Sequence, residues 1–269
     1  MCLTCLCKTQ HKHSKHLSIL LTMATPTIRI FYIHYNADKY EKASRDPNKA
    51  RPDLFSYENC FLNLLQSIRQ SHHKDAVELT IWFDGNMDDF QNDFISGCIP
   101  TDISTQVLLG EFRNGTKSCM ALVNYIAQAA FAPDDLIYCL ENDYSHQIDW
   151  LDKTMELVDS DVSFDYLSLY DHADNYRLPI HQRMTTQLFY TPSQIWKTAL
   201  STCWSFLTRH RTFCADYSLL SSNEDFMLFI KLNVIGRRLL VAIPGLSAHG
   251  MRGLESPGVN WTEVRDKVK

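Results

Sequence analysis

The sequence predicts an α/β protein whose core is an open mixed sheet, mainly parallel, flanked by helices. Short apolar runs rich in β-branched and aromatic residues alternate with segments of helical periodicity. Several of the apolar runs end in polar or acidic residues, as strands of such sheets do at a ligand crevice. The chain has 269 residues and is 45% apolar, which is sufficient for a substantial core.

The first half of the chain predicts three strands before the acidic motif described next, at residues 28–36, 77–83 and 107–110. Ser56 is placed to cap a helix in which Phe61, Leu64, Leu65 and Ile68 repeat at helical spacing. A weaker helix is expected over residues 87–95 and a strong one over residues 119–131. This strand, helix, strand order favours a parallel sheet with helices on its faces.

An apolar run at residues 136–140 predicts a buried strand, and Glu141, Asn142 and Asp143 follow it directly. In an extended chain residues i and i+2 point to the same side, so Glu141 and Asp143 could share one hard cation. Carboxylate oxygens are preferred ligands of Mg²⁺ and Mn²⁺. The alternative is an ordinary polar turn at the end of a strand.

Arg113 and Lys117 flank Gly115 where the helix of residues 119–131 is approached. Free backbone N–H groups and the positive end of a helix dipole favour a phosphate at such a position. Solvated cations in an ordinary loop are the alternative.

The second half predicts a helix that opens at residues 146–151 and runs through Val158, and strands at 165–171, 184–190, 202–208 and 238–243. His210 and Arg211 are interpreted as a solvated turn. Ser222 or Asn223 can cap a further helix with Glu224 and Asp225 in its first turn, where the dipole favours negative charge. His249 follows the last strand and precedes a flexible segment containing Gly250.

The formal net charge of -5 provides no basic field, which argues against nucleic-acid binding. Cysteines from Cys60 onward lie singly in apolar runs, as expected of reduced thiols in a cytoplasmic protein. No apolar run reaches membrane-spanning length, although peripheral contact with a membrane stays open. The Cys- and His-containing N-terminus matches no usual zinc spacing, and residues 1–24 are expected to be a disordered extension.

These motifs, in this order, resemble the GT-A fold glycosyltransferases, broadly family 2, over about residues 28–261. The resemblance rests on a strand ending in Asp84, the Arg113 to Lys117 stretch, the Glu141-Asn142-Asp143 motif and the Glu224-Asp225 pair. It implies one catalytic domain at residues 25–269. Residues 25–145 would bind a nucleotide-sugar, and residues 146–269 would form the acceptor side with a C-terminal lid anchored by Trp261.

The resemblance also implies a hexosyltransferase-like activity that moves a sugar from a nucleotide-diphosphate donor to a glycan or other hydroxyl acceptor, with inversion. Asp143 would bind Mn²⁺ or Mg²⁺ through a D-x-D-like motif, with Glu141 and His249 assisting. Asp225 would be the base and Glu224 would orient it. The remaining donor-binding residues would be Tyr35, Asn36, Asp84, Arg113, Lys117 and Asn142.

Two alternatives belong to other functional classes. A sugar-phosphate nucleotidyltransferase would share the strand order and the metal, but the glycine-rich phosphate loop expected after its first strand is absent from residues 34–40. A non-catalytic module could keep the fold and bind nucleotide-sugars without turnover, because a fold does not determine function.

Overall fold

The computed structural model describes residues 26–35, 50–222 and 225–268. Residues 1–24, Asn36 and Glu224, all assigned roles above, lie outside these ranges. The strands are β1 (Ile28–His34), β2 (Val77–Asp84), β3 (Ser104–Gly110), β4 (Leu136–Glu141), β5 (Tyr144–His146), β6 (Tyr166–Ser168), β7 (Leu188–Tyr190), β8 (Ile195–Ala199), β9 (Phe206–Arg209), β10 (Leu239–Ile243) and β11 (Ser247–His249).

Eleven α-helices lie in the described ranges. They are α1 (Tyr57–Gln70), α2 (Met87–Gln91), α3 (Phe94–Gly97), α4 (Gly115–Gln128), α5 (Trp150–Val158), α6 (Asp174–Arg177), α7 (Pro179–Gln182), α8 (His210–Ala215), α9 (Tyr217–Leu220), α10 (Asp225–Val234) and α11 (Trp261–Asp266).

Nine strands form one open sheet in the order β3-β2-β1-β4-β9-β6-β10-β8-β7. The pairings of β3, β2, β1 and β4 are all parallel, and β8 and β9 are the strands that oppose the common direction. Helices cover the sheet, so the predicted open, mainly parallel α/β sheet is confirmed. Strands β5 and β11 pair separately as a two-stranded antiparallel sheet.

Alternation along β1 divides the core between the two faces of the sheet. Ile30 and Tyr32 pack in a cluster with the buried stripe of α1, whereas Phe31 and Ile33 pack with the buried face of α4. Successive side chains of a strand point to opposite faces, so a strand covered by helices on both sides is apolar throughout. This is the reason that β1 reads as a continuous apolar run.

Local signals located the start of α1, whereas α4 begins four residues and ends three residues before the helix predicted over residues 119–131. Ser56 caps α1 as predicted, since its hydroxyl accepts from the backbone N–H of Asn59 at 2.9 Å. The single helix predicted over residues 87–95 was wrong, because the segment forms α2 and α3. Asp93 starts the second of them, accepting from the N–H of Ile95 at 3.1 Å.

In the second half, the strands predicted at residues 165–171, 184–190 and 202–208 are shorter than expected and become β6, β7 and β9. The hydroxyl of Ser168 contacts both the N–H and the C=O of Tyr170, which ends β6 locally. His210 is not in a solvated turn. It begins α8 and is buried, with Nε2 3.1 Å from the carbonyl oxygen of Ile126.

Candidate active site

The carboxyl ends of β2, β1 and β4 lie side by side at one edge of the sheet. Asp84 ends β2 and Glu141 ends β4, with β1 between them. Adjacent strands are about 4.8 Å apart, so the two acidic strand ends are separated by roughly 10 Å. This separation suits a ligand that lies across the end of β1.

Asp84 is almost completely buried, with an exposed fraction of 2%. Its Oδ1 accepts from the backbone N–H groups of Phe112 and Arg113, each at 2.8 Å. Arg113 has φ of 49°, in the left-handed region, and the two bonds hold this turn in place. The other oxygen, Oδ2, is buried and has no hydrogen-bond partner. Asp84 therefore shapes the loop after β3 and keeps one acceptor unsatisfied.

The predicted phosphate-binding segment begins α4. Asn114 caps this helix, accepting from the N–H of Lys117 at 3.0 Å. The Arg113 guanidinium donates to Oδ2 of Asp89 at 2.8 Å. Arg113 and Lys117 are both exposed. Arg113 thus lies in the turn that Asp84 supports, and Lys117 lies in the first turn of the helix that follows it.

Asn142 lies immediately after β4 and is buried. Its side-chain amide donates to the carbonyl oxygen of Tyr35 at 3.0 Å and lies 3.3 Å from Nδ1 of His34. His34 in turn contacts Asp93 through Nε2, at 3.2 Å. Asn142 and Tyr35, both predicted to bind the donor, are thereby linked at the end of β1.

The pairing of β5 with β11 brings Asp143 and His249 together. Tyr144 lies opposite His249 in this small sheet, and the two rings stack with centroids 5.1 Å apart. Nε2 of His249 is 3.0 Å from Oδ2 of Asp143, and Gly250 N donates to the Asp143 carbonyl oxygen at 2.7 Å. Two residues that are 106 positions apart in the sequence thus form one polar centre.

Arg51 completes this centre and was not singled out from the sequence. Its Nη1 donates to Oδ2 of Asp143 at 2.8 Å. Arg51 lies in a charged stretch of the sequence, residues 37–54, that has neither periodicity nor a motif, so no local signal could have identified it. Only the structure identifies Arg51 as a partner of Asp143, because the fold brings residues 51 and 143 together.

The electrostatics of the centre are those of an ion pair. Burial alone would raise the pKa of Asp143, but the charges and hydrogen bonds of His249 and Arg51 outweigh it and lower that pKa well below its usual range. Burial alone would lower the pKa of His249, and the carboxylate of Asp143 instead raises it. Asp143 is therefore an anion under physiological conditions.

The residues at Asp143 partly match a cation site. Oδ1 of Asp143 is buried and has no hydrogen-bond partner, which is the state of an oxygen available to a cation. No group of three or more His, Cys, Asp or Glu side chains within residues 26–35, 50–222 and 225–268 is arranged to hold a metal. β4 ends at Glu141 and the chain turns at Asn142 and Asp143, so the extended geometry that we expected for Glu141 and Asp143 is absent.

A second polar cluster lies beyond β6 and was also missed from the sequence. Nζ of Lys197 donates to Oδ1 of Asp171 at 2.7 Å and to the hydroxyl of Tyr176 at 2.9 Å. The Tyr176 hydroxyl also donates to Oδ2 of Asp171 at 2.5 Å. The cluster attaches α6, on the side predicted to receive the acceptor, to β8, which lies next to the edge strand β7.

The predicted acid–base pair is only partly within the described residues. Asp225 is the first residue of α10, and its side chain and the whole of Glu224 lie outside the description. The C-terminal segment packs on the body of the protein: Trp261 is buried, and Nε of Arg265 donates to the carbonyl oxygen of Asp53 at 3.0 Å.

No protein-family model and no curated protein matches this sequence. Among solved structures, GalNAc-T7, crystallised with UDP, GalNAc and Mn²⁺, superposes with a TM-score of 0.51 at 10% identity. The match covers 86% of this chain and 45% of GalNAc-T7. The fold is the GT-A fold. Its neighbours are nucleotide-sugar and nucleotide transferases.

Two further solved structures are similar to this chain. Residues 1–349 of TarS from S. aureus match at 14% identity, over 80% of this chain and 57% of TarS, with a TM-score of 0.48. The inositol-1-phosphate CTP transferase of T. maritima matches at 12% identity, over 92% of this chain and 98% of its own, with a TM-score of 0.43. This chain spans about half the length of the TarS and GalNAc-T7 structures.

No helix in the described part of the chain is both long and apolar enough to cross a bilayer.

Proposed function

We propose that this GT-A protein is a glycosyltransferase that moves a sugar from a nucleotide-diphosphate donor to a hydroxyl acceptor, with Mn²⁺ or Mg²⁺ as cofactor. One observation supports this proposal above the others. Asp84 and Asp143 each present a buried carboxylate oxygen without a partner at the same edge of the sheet. Buried polar atoms are normally satisfied, so unsatisfied ones at a sheet edge indicate a ligand site.

On the donor side, Oδ2 of Asp84 would accept a hydrogen bond from the nucleoside. The backbone around Arg113 and the start of α4, which carries Lys117, would contact the diphosphate. Asn142, Tyr35 and Asn36 would border the nucleotide at the end of β1. Each of these residues ends β1, β2, β3 or β4 or lies in the segment that follows one of them.

Asp143 and His249 would hold the divalent cation, with Glu141 assisting from the end of β4. Carboxylate and imidazole together suit Mn²⁺, with Mg²⁺ as the second choice. When bound, such a cation would neutralise the negative charge that accumulates on the leaving diphosphate.

For the transfer, Asp225 would act as the base and Glu224 would orient it. The acceptor oxygen would bond to the anomeric carbon as the bond from that carbon to the diphosphate oxygen breaks. The departing diphosphate would take the electron pair, and Asp225 would take the proton of the acceptor hydroxyl. Attack from the face opposite the leaving group would invert the anomeric configuration.

A thermal-shift panel of nucleoside diphosphates and their sugars, with and without MnCl₂, tests donor binding. We expect one nucleoside family to raise the melting temperature, and more strongly with Mn²⁺. A ligand at 100 times its Kd stabilises the native state by about 2.7 kcal/mol. Asp84→Asn keeps an oxygen for the turn at residues 112–113 but should reduce the shift, whereas Asp102→Asn, in an exposed ion pair with Arg69, should not.

Transfer itself is tested with Asp225→Asn in a donor-consumption assay over a panel of saccharide acceptors. We expect this variant to keep the thermal shift of the parent and to lose transfer by about 10²-fold or more. If the parent binds a nucleotide-sugar but neither transfers nor hydrolyses it, the protein is a binding module. If no nucleotide shifts the melting temperature, the proposal is wrong.

A further inference from the structure

Arg51 is held in place by more than its charge. Its Nη1 donates to the carbonyl oxygen of Gly250 at 2.8 Å as well as to Asp143, and its Nη2 donates to the hydroxyl of Tyr57 at 2.9 Å. The guanidinium lies over the ring of Phe55, 4.4 Å from its centroid. A planar guanidinium that is fixed by three hydrogen bonds and by contact with an aromatic ring has a defined position, which a surface arginine does not have.

The packing around Gly250 joins the segment of Arg51 to the strand end. A Cβ on Gly250 would meet the ring of Phe55 at 2.3 Å and the carbonyl oxygen of Asp143 at 2.9 Å. The chain near Arg51 is also tied by the N–H of Arg252, which donates to the Ala50 carbonyl oxygen at 2.8 Å. The segments that carry Arg51, Asp143 and His249 therefore form one packed unit.

One carboxylate oxygen of Asp143 in this unit is already paired, and the other is not. Oδ2 of Asp143 already accepts from Arg51 and contacts His249, and Oδ1 is the oxygen without a partner. The side chains of Arg51 and Asp143 are only 22% and 13% exposed, so water screens them poorly. A divalent cation at Oδ1 would share one carboxylate with a fixed guanidinium only a few ångströms away.

We propose that Arg51 competes with the divalent cation for Asp143, so that cation binding requires this ion pair to open or weaken. The inference rests on the proposed function, because it assumes a cation at Asp143. Arg51 is then a resident counter-ion that stays paired with the carboxylate until the cation arrives. Its hold on Asp143 limits the affinity for the cation alone, without a nucleotide.

The test measures Mn²⁺ binding to the full chain by electron paramagnetic resonance of free Mn²⁺, without nucleotide. We expect Arg51→Met, which keeps an aliphatic stem over Phe55, to lower the Kd for Mn²⁺ by at least about tenfold. Arg51→Lys retains the positive charge and should stay within about threefold of the parent. Tyr57→Phe removes one anchor of Arg51 and should give a smaller decrease, of about threefold.

Two controls accompany these variants. Arg69→Met removes an arginine from the exposed ion pair with Asp102 and should leave Mn²⁺ binding unchanged. Asp143→Asn should abolish binding. Circular dichroism of each variant establishes that it is folded, and Tyr57→Phe keeps the inference testable if Arg51→Met does not fold.

Equal or weaker Mn²⁺ binding by Arg51→Met and Tyr57→Phe, or no Mn²⁺ binding by the parent and every variant, would overturn the inference. These outcomes are separable from those of the proposed function. If nucleoside diphosphates stabilise the parent but the Kd for Mn²⁺ is the same in the Arg51 variants as in the parent, Arg51 does not compete with the cation and the proposed donor site is still supported. If Arg51→Met binds Mn²⁺ more tightly but no nucleotide binds, the competition stands and the proposed function fails.

Discussion

His146 is a buried imidazole that stays neutral in the folded protein. Its Nε2 lies 2.9 Å from the hydroxyl of Tyr138, and its Nδ1 is buried without a partner. Burial lowers its pKa from 6.5 to about 3. Asp143, three residues earlier, is instead an anion, because the charges and hydrogen bonds of His249 and Arg51 outweigh the effect of burial on its pKa. The two groups differ in charge because of the charged side chains beside them, and not because of how deeply they are buried.

The His146 pKa predicts that acid destabilises the protein in a defined window. Below pH 6.5 the unfolded chain binds a proton at this position, and the folded protein does not until about pH 3. The free energy of unfolding should therefore fall as the pH is lowered through this window, by about 2 kcal/mol between pH 7 and pH 5 from this group alone. Urea unfolding at the two pH values measures the decrease.

In His146→Gln the decrease between pH 7 and pH 5 should be smaller than in the parent by that amount. His72→Gln, a change at an exposed histidine, should leave it as in the parent. If the decreases are the same in His146→Gln and the parent, His146 is not the group responsible.

Among the elements, the long ones follow local rules and the short ones follow their surroundings. α1 has a capping serine and an apolar stripe, so its start was predicted, and β2 is an apolar run closed by Asp84 that was predicted to within one residue. β5 and β11 have three residues each, and each is a strand only because the other pairs with it. Short strands have too few residues for a period to be visible in the sequence.

The cap of α1 gives a prediction for this element. Ser56→Ala removes the acceptor for the N–H of Asn59 and should lower the free energy of unfolding by about 1 kcal/mol. Ser56→Asp restores an acceptor and adds a negative charge at the positive end of the helix dipole, so it should be close to the parent. Urea denaturation compares the three proteins, and equal losses for alanine and aspartate would show that the cap is not what Ser56 contributes.

Over the whole molecule, the strand order places the candidate site at the carboxyl ends of three adjacent strands. The strands on the other side of the sheet lie far from it. β2, β1 and β4 are adjacent, whereas the β7–β8 pair lies at the far end of the order. The predicted donor-binding and metal-binding residues come from five separate parts of the chain. The site is therefore assembled only when the complete fold has formed.

Hydrogen–deuterium exchange tests this arrangement. With MnCl₂ and the nucleoside diphosphate that gives the largest thermal shift, we expect slower exchange at residues 110–117, 141–144 and 249–252. Exchange at β7 and β8, Leu188–Tyr190 and Ile195–Ala199, should not change. Protection that is confined to β7 and β8 would place the ligand elsewhere and contradict the proposed site.

The amino-acid sequence by itself determined the α/β class, the bounds of β2 and β4 to within one residue, the starts of β1 and α1, and the acidic strand ends at Asp84 and Glu141. These features depend on the alternation of side chains, helical periodicity and caps, which act over a few residues. The tertiary structure alone decided that Asp143 meets His249 and Arg51, which are 106 and 92 positions away. Contacts over such separations have no local signal, because they exist only after the sheet has formed and β11 has paired with β5.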